Sequence, residues 1–376
     1  MNSDNLNSFF DNLNLEQQQE KKIVAKDYES LADRNPDLMR ERDREYKDVE
    51  KHFVRTNYWL KTAQKIARQD GKQNGLKYLT LPAYYRLDVS LLYREGLLEI
   101  TEKDEEGNAK EINVAAFEVE SDKYGRMTRQ VPSFKLFCLD KVENALVDSD
   151  NPYYEGLLSL FPFDIINLDL TTSLTPVREG PYTKTLKAID ELFRRQSSSR
   201  FEWAFFLTVR NMPENWENAT LNQLIDNLQQ NIDNHPEVAE ALLDRYQVHS
   251  VNDLKEKDDK TCISQASVKW LIDIGHRHEL NMHSLRCCYY SRYSIGVPPY
   301  DIYKYVVTFQ RHRPLDTKVP TSIVPPVLPY KVSNLVQCVS EHKPMDIEDK
   351  LMNISEHKPI FEDLEKDVDE LCKMVE

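Results

Sequence analysis

The chain has 376 residues, 40% of them hydrophobic and 30% charged, and a formal net charge of −14 at pH 7. That size suits one large domain with extensions, or two domains, and no apolar run approaches the ~20 residues that span a bilayer. So acidic a balance argues against non-specific nucleic-acid binding by the whole surface. The acid is unevenly placed: residues 340–376 hold 12 acidic and 5 basic residues, a net of −7, half of the total excess. The remaining body is mildly acidic and has room for a local basic patch. The six cysteines include no C-x-x-C pair, and the N-terminus is acidic and amide-rich. A reducing, cytoplasmic setting without a secretory leader is the expectation.

Residues 1–14 read as disordered, and 15–75 as a charged, helix-favouring region. Within it Phe53, Val54, Trp59, Leu60, Ala63 and Ile66 recur at helical spacing. Lys61, Lys65, Arg68 and Lys72 follow at steps of four, three and four, so they share one helix face. Such a stripe is either a solvated face or a contact for a nucleic-acid backbone.

From residue 76 the pattern changes to short apolar runs alternating with amphipathic stretches. LKYLTLPAYY (76–85) predicts a strand ending at Pro82, and RLDVSLLYREGL the helix after it. INVAAFEVE (112–120), FKLFCLD (134–140), FDIINLDL (163–170) and FEWAFFLTVR (201–210) predict four more strands, with a helix over 183–199 before the last. Apolar strands alternating with helices predict a mostly parallel sheet covered on both faces. Residues 217–282 read as a polar helical insertion or cap. Two aromatic β-rich runs around Gly296–Val297–Pro298–Pro299 predict a hairpin over 283–313. The Pro-rich stretch in 314–339 reads as an extended linker. The segment SEHKP occurs at 340–344 and again at 355–359, within an acidic tail read as a mobile arm or docking helix.

In parallel sheets ligands bind beyond the carboxyl ends of strands. The polar residues there are Glu118, Asp140 and Asp169, with Asn167 one strand period before Asp169 and on the same face. Each is equally readable as a turn or surface residue. Asp164, at a strand entrance, reads as structural. His276, His278 and His283 with Cys287 and Cys288 match no standard zinc spacing, so no metal is expected. No Walker loop, nucleophile elbow or G-x-G-x-x-G occurs.

Five alternating strands followed by an aromatic hairpin resemble the class I, S-adenosylmethionine-dependent methyltransferases. The likeness covers about 77–313, apart from the helical insertion. FDIINLDL is similar to that family's fourth-strand motif, EVES to its ribose-gripping carboxylate, CLD to its acidic position near adenine, and SRYSIGVPPYDIYKYVVTFQR to its terminal hairpin. The resemblance implies an α/β, Rossmann-like, mostly parallel seven-stranded sheet with a terminal antiparallel hairpin. It implies S-adenosylmethionine as cofactor, bound by Glu118 and Asp140 with Tyr84 beside it, and a catalytic role for Asp169 and Asn167. A nucleic acid or other macromolecule, contacted by Lys61, Lys65, Arg68 and Lys72, is the implied substrate. The chain departs from the family where a glycine-rich loop follows the first strand: here it reads TLPAYYRLD. The alternative is a degenerate subunit that binds protein partners through its N-terminal helices and acidic tail.

Overall fold

Parallel strands buried on both faces give this chain its frame. The computed structural model describes residues 49–82, 85–170, 173–174, 183–211, 218–294, 297–311, 334–336, 339, 345–346, 366–368 and 370–371. The expectations for residues 1–14, for most of the linker, for both SEHKP copies and for Tyr84 fall outside the described residues.

The chain enters through α1 (Val49–Val54), a π-helical segment (Arg55–Leu60) and α2 (Lys61–Ala67). Next come β1 (Tyr78–Thr80), α3 (Leu87–Arg94), β2 (Ile100–Lys103), β3 (Ala109–Glu118), α4 (Ser121–Met127) and β4 (Ser133–Leu139). Then follow α5 (Val142–Val147), α6 (Tyr154–Leu160), β5 (Ile165–Asp169), α7 (Lys184–Gln196) and β6 (Trp203–Asn211). Four helices, α8 (Asn218–Asn234), α9 (Pro236–Tyr246), α10 (Val251–Lys257) and α11 (Asp259–Arg277), lead to β7 (Leu280–Ser294) and β8 (Val297–Arg311). A two-residue strand, β9 (Met345–Asp346), closes the sheet.

The result is a mixed α/β architecture with a parallel core. β4, β3, β1, β5 and β6 run parallel in that spatial order, and β8 lies antiparallel between β6 and β7. The sheet has nine strands rather than the seven expected, because β2 and β9 add to it. β2 is charged and exposed along its length, so no apolar alternation marks it. It forms because Asp104 accepts backbone N–H bonds from Glu106 and Asn108 at 3.0 and 2.8 Å, which folds the chain back onto the start of β3.

Alternation along each strand sorts side chains to two covers. On β6, Trp203, Phe205, Leu207 and Val209 face the larger core, while Ala204 and Phe206 face the smaller. The larger core is closed by α5, α7, α8 and α11. α7 shows why: Thr183 caps it by accepting the Leu186 N–H, and Leu186, Ile189, Leu192 and Phe193 form one buried stripe. The helices between β6 and β7 are not a separate cap. Leu224, Leu228, Val238, Leu254, Val268, Leu271 and Ile272 are buried in this same core.

The smaller core is closed by α1, the π-helical segment, α2 and α3. Trp59 stacks on Phe206 with ring centroids 5.5 Å apart, and Ile66, Val89 and Leu92 fill the remainder. Gly75, at φ +99°, makes the turn into β1. A Cβ there would stand 2.6 Å from the backbone nitrogen of Glu99.

Candidate functional site at the carboxyl ends of the strands

Register brings the polar residues of several strands into rows on the face under α1. Thr80 of β1 is level with Asn167 of β5. Two residues further, Asp169 is level with Thr208 of β6, and Thr208 with Lys304 of β8. Asn167 and Asp169 therefore share a face.

Asp169 forms an ion pair with Lys51 of α1 at 2.6 Å and lies 3.7 Å from the Lys304 ammonium. Burial alone would raise its carboxyl pKa. The charges of Lys304, Lys51 and Arg55 outweigh burial and hold it well below the usual carboxylate range. Lys304 is 1% exposed and donates to Thr208 Oγ1 at 2.9 Å. Burial, helped by the neighbouring Lys51 and Arg55 charges, pushes its pKa down against the pull of Asp169.

Beside this pair lies a second carboxylate. Asp88, in the first turn of α3, accepts hydrogen bonds from the Tyr78 hydroxyl and the Thr80 hydroxyl, both at 2.7 Å, and from the Asn167 amide at 3.2 Å. Asn167 also donates to the Tyr78 oxygen at 3.0 Å. Burial and the Asp88 charge raise the Tyr78 pKa well above its ordinary value, so Tyr78 stays a neutral donor. Arg55 faces the same group and is 3% exposed. Its Nε and Nη1 are buried without a hydrogen-bond partner, and so is the Asn167 Oδ1. The cluster thus sets three cations, Lys51, Arg55 and Lys304, against two carboxylates, Asp88 and Asp169.

The helix that delivers these groups continues from α1 into a π-helical turn. Arg55, Tyr58 and Trp59, at steps of three and four, share its inward face. Thr56 Oγ1 donates back to the His52 and Phe53 carbonyls at 3.1 and 3.2 Å, next to the widened turn.

The other expected ligand residues lie along the same edge but apart from this cluster. Glu118 ends β3, and burial raises its pKa. Its Oε1 accepts both the Val119 and Glu120 N–H groups, at 2.8 and 2.9 Å. Asp140, just past β4, accepts from the Lys141 N–H, the Asn144 amide and the Asn151 amide, and so fixes its own turn. The end of β1 separates Glu118 from Asn167.

The basic stripe is at the opposite edge. Lys72 pairs with Asp164 and lies 4.5 Å from the Phe201 ring centre, and Lys65 pairs with Glu202 at 2.9 Å. Both carboxylates sit at strand entrances. Lys61 is exposed and bonds to Asn57 at 3.0 Å; Arg68 caps the end of α2. Two of the four cations are therefore tied into the fold rather than presented as a phosphate track. Asp164, as expected, is structural: it also accepts the Lys77 N–H at 2.8 Å.

Lys51, Arg55, Asp88 and Lys304 escaped the reading of the sequence. For Arg55, Asp88 and Lys304 the signal is a charge inside an apolar run, in FVRTNYW, LDVSLL and YKYVV; Lys51, in the charged stretch before Phe53, carries none. Such a charge folds only with buried partners.

Residues 49–299 match the PP_RS20740-like family. The chain belongs to that family. The span shared with the PP_RS20740-like model opens at α1 and takes in β1 to β7 with the helices between them, but only the first residues of β8, so Lys304 lies beyond it. No curated protein and no solved structure matches the chain.

Proposed function

We propose that this chain is a class I methyltransferase-like protein that binds S-adenosylmethionine at the carboxyl edge of its sheet and acts on a nucleic acid or another macromolecule. The observation that carries the reading is the sheet: five parallel strands, then β8 reversed between β6 and β7, with Glu118, Asp140 and Asp169 at successive strand ends. The residues present fit the donor. Its amino-acid end bears a carboxylate and an ammonium, which suit the unpartnered Arg55 N–H groups and the unpartnered Asn167 carbonyl. Both hydrogen bonds to Glu118 fall on Oε1, which leaves Oε2 for a ribose hydroxyl. When bound, the donor supplies an electrophilic methyl group. The chain's part is to bind, orient and keep water out, with Asp169 held ionised by Lys51 and Lys304 beside the point of transfer.

A second reading has its own support. Arg86 takes a left-handed conformation, φ 50°, in the loop where the family carries glycine. Its guanidinium turns back to donate to the Pro132 carbonyl at 2.9 Å and lies 3.9 Å from the Phe134 ring centre. With Arg86 and Asp88 in this turn, the chain lacks the bare glycine backbone that lets the family's loop approach its donor. On that reading the chain is a non-catalytic subunit that binds protein partners.

Calorimetric titration with S-adenosylmethionine and S-adenosylhomocysteine separates the two. Micromolar binding, lost in Glu118→Ala and in Arg55→Ala, is the expected result. A folded sample that binds neither compound overturns the enzyme reading in favour of the subunit.

A further inference from the structure

The chain beyond β8, linker and tail together, is docked at three places among the described residues. Leu335 and Val339 are buried in the larger core. Met345 and Asp346 pair with Cys288 and Tyr289 at the β7 edge. Residues 366–368 and 370–371 reach the other face, where Val368 and Leu371, 1% and 0% exposed, pack against Tyr85, Leu87 and Leu91. Asp367 seals that contact: it bonds to His52 Nε2 at 2.8 Å and to the Arg94 guanidinium. All of this lies outside the span shared with the family.

The partners of that last contact belong to the elements that build the strand-end cluster. His52 is the residue after Lys51, so successive side chains of α1 hold Asp367 of the tail and Asp169 of the sheet. Tyr85 and Leu87 flank Arg86, and Asp88 is the next residue of the same helix. α1 is therefore clamped between the strand ends and the tail, with Arg55 one turn further along it.

We propose that Asp367, Val368 and Leu371 form a releasable strap that holds α1 shut over the carboxyl edge, so that the cluster becomes accessible only when the strap lifts. The design suits release. The anchor is two apolar side chains and one carboxylate, Asp367, which meets His52 and Arg94. The clamping follows from packing alone; the control of access to a methyl donor rests on the proposed function.

Hydrogen–deuterium exchange of the full chain tests it. With Val368→Asp and Leu371→Asp together, peptides covering 49–60 and 85–94 are expected to exchange at least tenfold faster, with β5, β6 and β8 unchanged. Asp367→Asn, a gentler change, is expected to give a several-fold rise confined to the same peptides. Unchanged protection of 49–60 in both variants overturns the strap, and so does an equal rise across the whole sheet, which would make the tail a plain structural staple. Titration of the double variant with S-adenosylmethionine then separates the two claims. Stronger binding than in the unaltered chain supports gating of the donor. Faster exchange with no binding leaves the clamp standing and counts against the donor site.

Discussion

Asp169 is the residue whose meaning changes most between sequence and fold. Read along the chain it is an acid at a strand end; in the fold it is the counter-ion of Lys51 and Lys304. Removing one partner of a buried ionic group leaves uncompensated charge. Asp169→Ala is therefore expected to destabilise the protein by about 3–5 kcal/mol in denaturant titration. Lys304→Met leaves Asp169 with Lys51 and Arg55, and is expected to cost less than ~2 kcal/mol. The double variant should cost clearly less than the sum of the two, and additivity would show that the pair is not coupled. His52 gives a pH test. Burial, together with the nearby Arg55 and Arg94 charges, lowers its pKa to about 4, against the pull of Asp367. The unfolded chain takes up that proton near pH 6.5, so between about pH 6.5 and 4 the unfolded state binds more protons than the folded one. Stability from this group is complete above about pH 6.5 and falls by about 3 kcal/mol as pH drops to 4. Denaturant midpoints at pH 7.5 and 4.5 should differ less for His52→Gln than for the unaltered chain.

At the scale of elements, the interrupted helix over 49–67 carries the most consequence. Its apolar spacing was visible as a helix, and it is one, but the π-helical turn at Arg55–Leu60 has no mark in the residues themselves. That turn depends on what lies beneath: Trp59 on Phe206, and Arg55 over the Asp88 and Asp169 carboxylates. Trp59→Ala removes the stacked ring and a neighbour of the Lys304 ammonium, which lies 4.9 Å from the ring centre. A loss of about 3–5 kcal/mol is expected, measured by chemical denaturation. The approximate places of β3, β5 and β6 along the chain were legible because strands buried on both faces read as continuous apolar runs, while their side-by-side order is set by the tertiary structure. β2 was not legible, since an exposed, charged strand is defined by the turn at Asp104 rather than by its own side chains.

Across the whole molecule, the tail and the N-terminal helices prove to be parts of one arrangement. The sequence suggested a mobile arm or a docking helix. The described residues of the linker touch the larger core, and those of the tail touch the β7 edge and the α1–α3 surface. Two measurements have different reach here: donor titration judges the proposed function, while exchange in 49–60 judges the strap. No helix among the described residues is long and apolar enough to cross a bilayer.

Hydrophobic periodicity by itself determined that this chain makes an α/β sheet covered on both faces, and that Asn167 and Asp169 lie on one face near a strand end. Both follow from local rules: alternation along a strand, and the burial of apolar runs. Which groups meet Asp169 was decided by tertiary structure alone. Lys51, Asp88 and Lys304 come from three distant segments, and no spacing rule links them. Their partnership exists because a charge buried in a sheet must find its counter-charge wherever the fold brings one near.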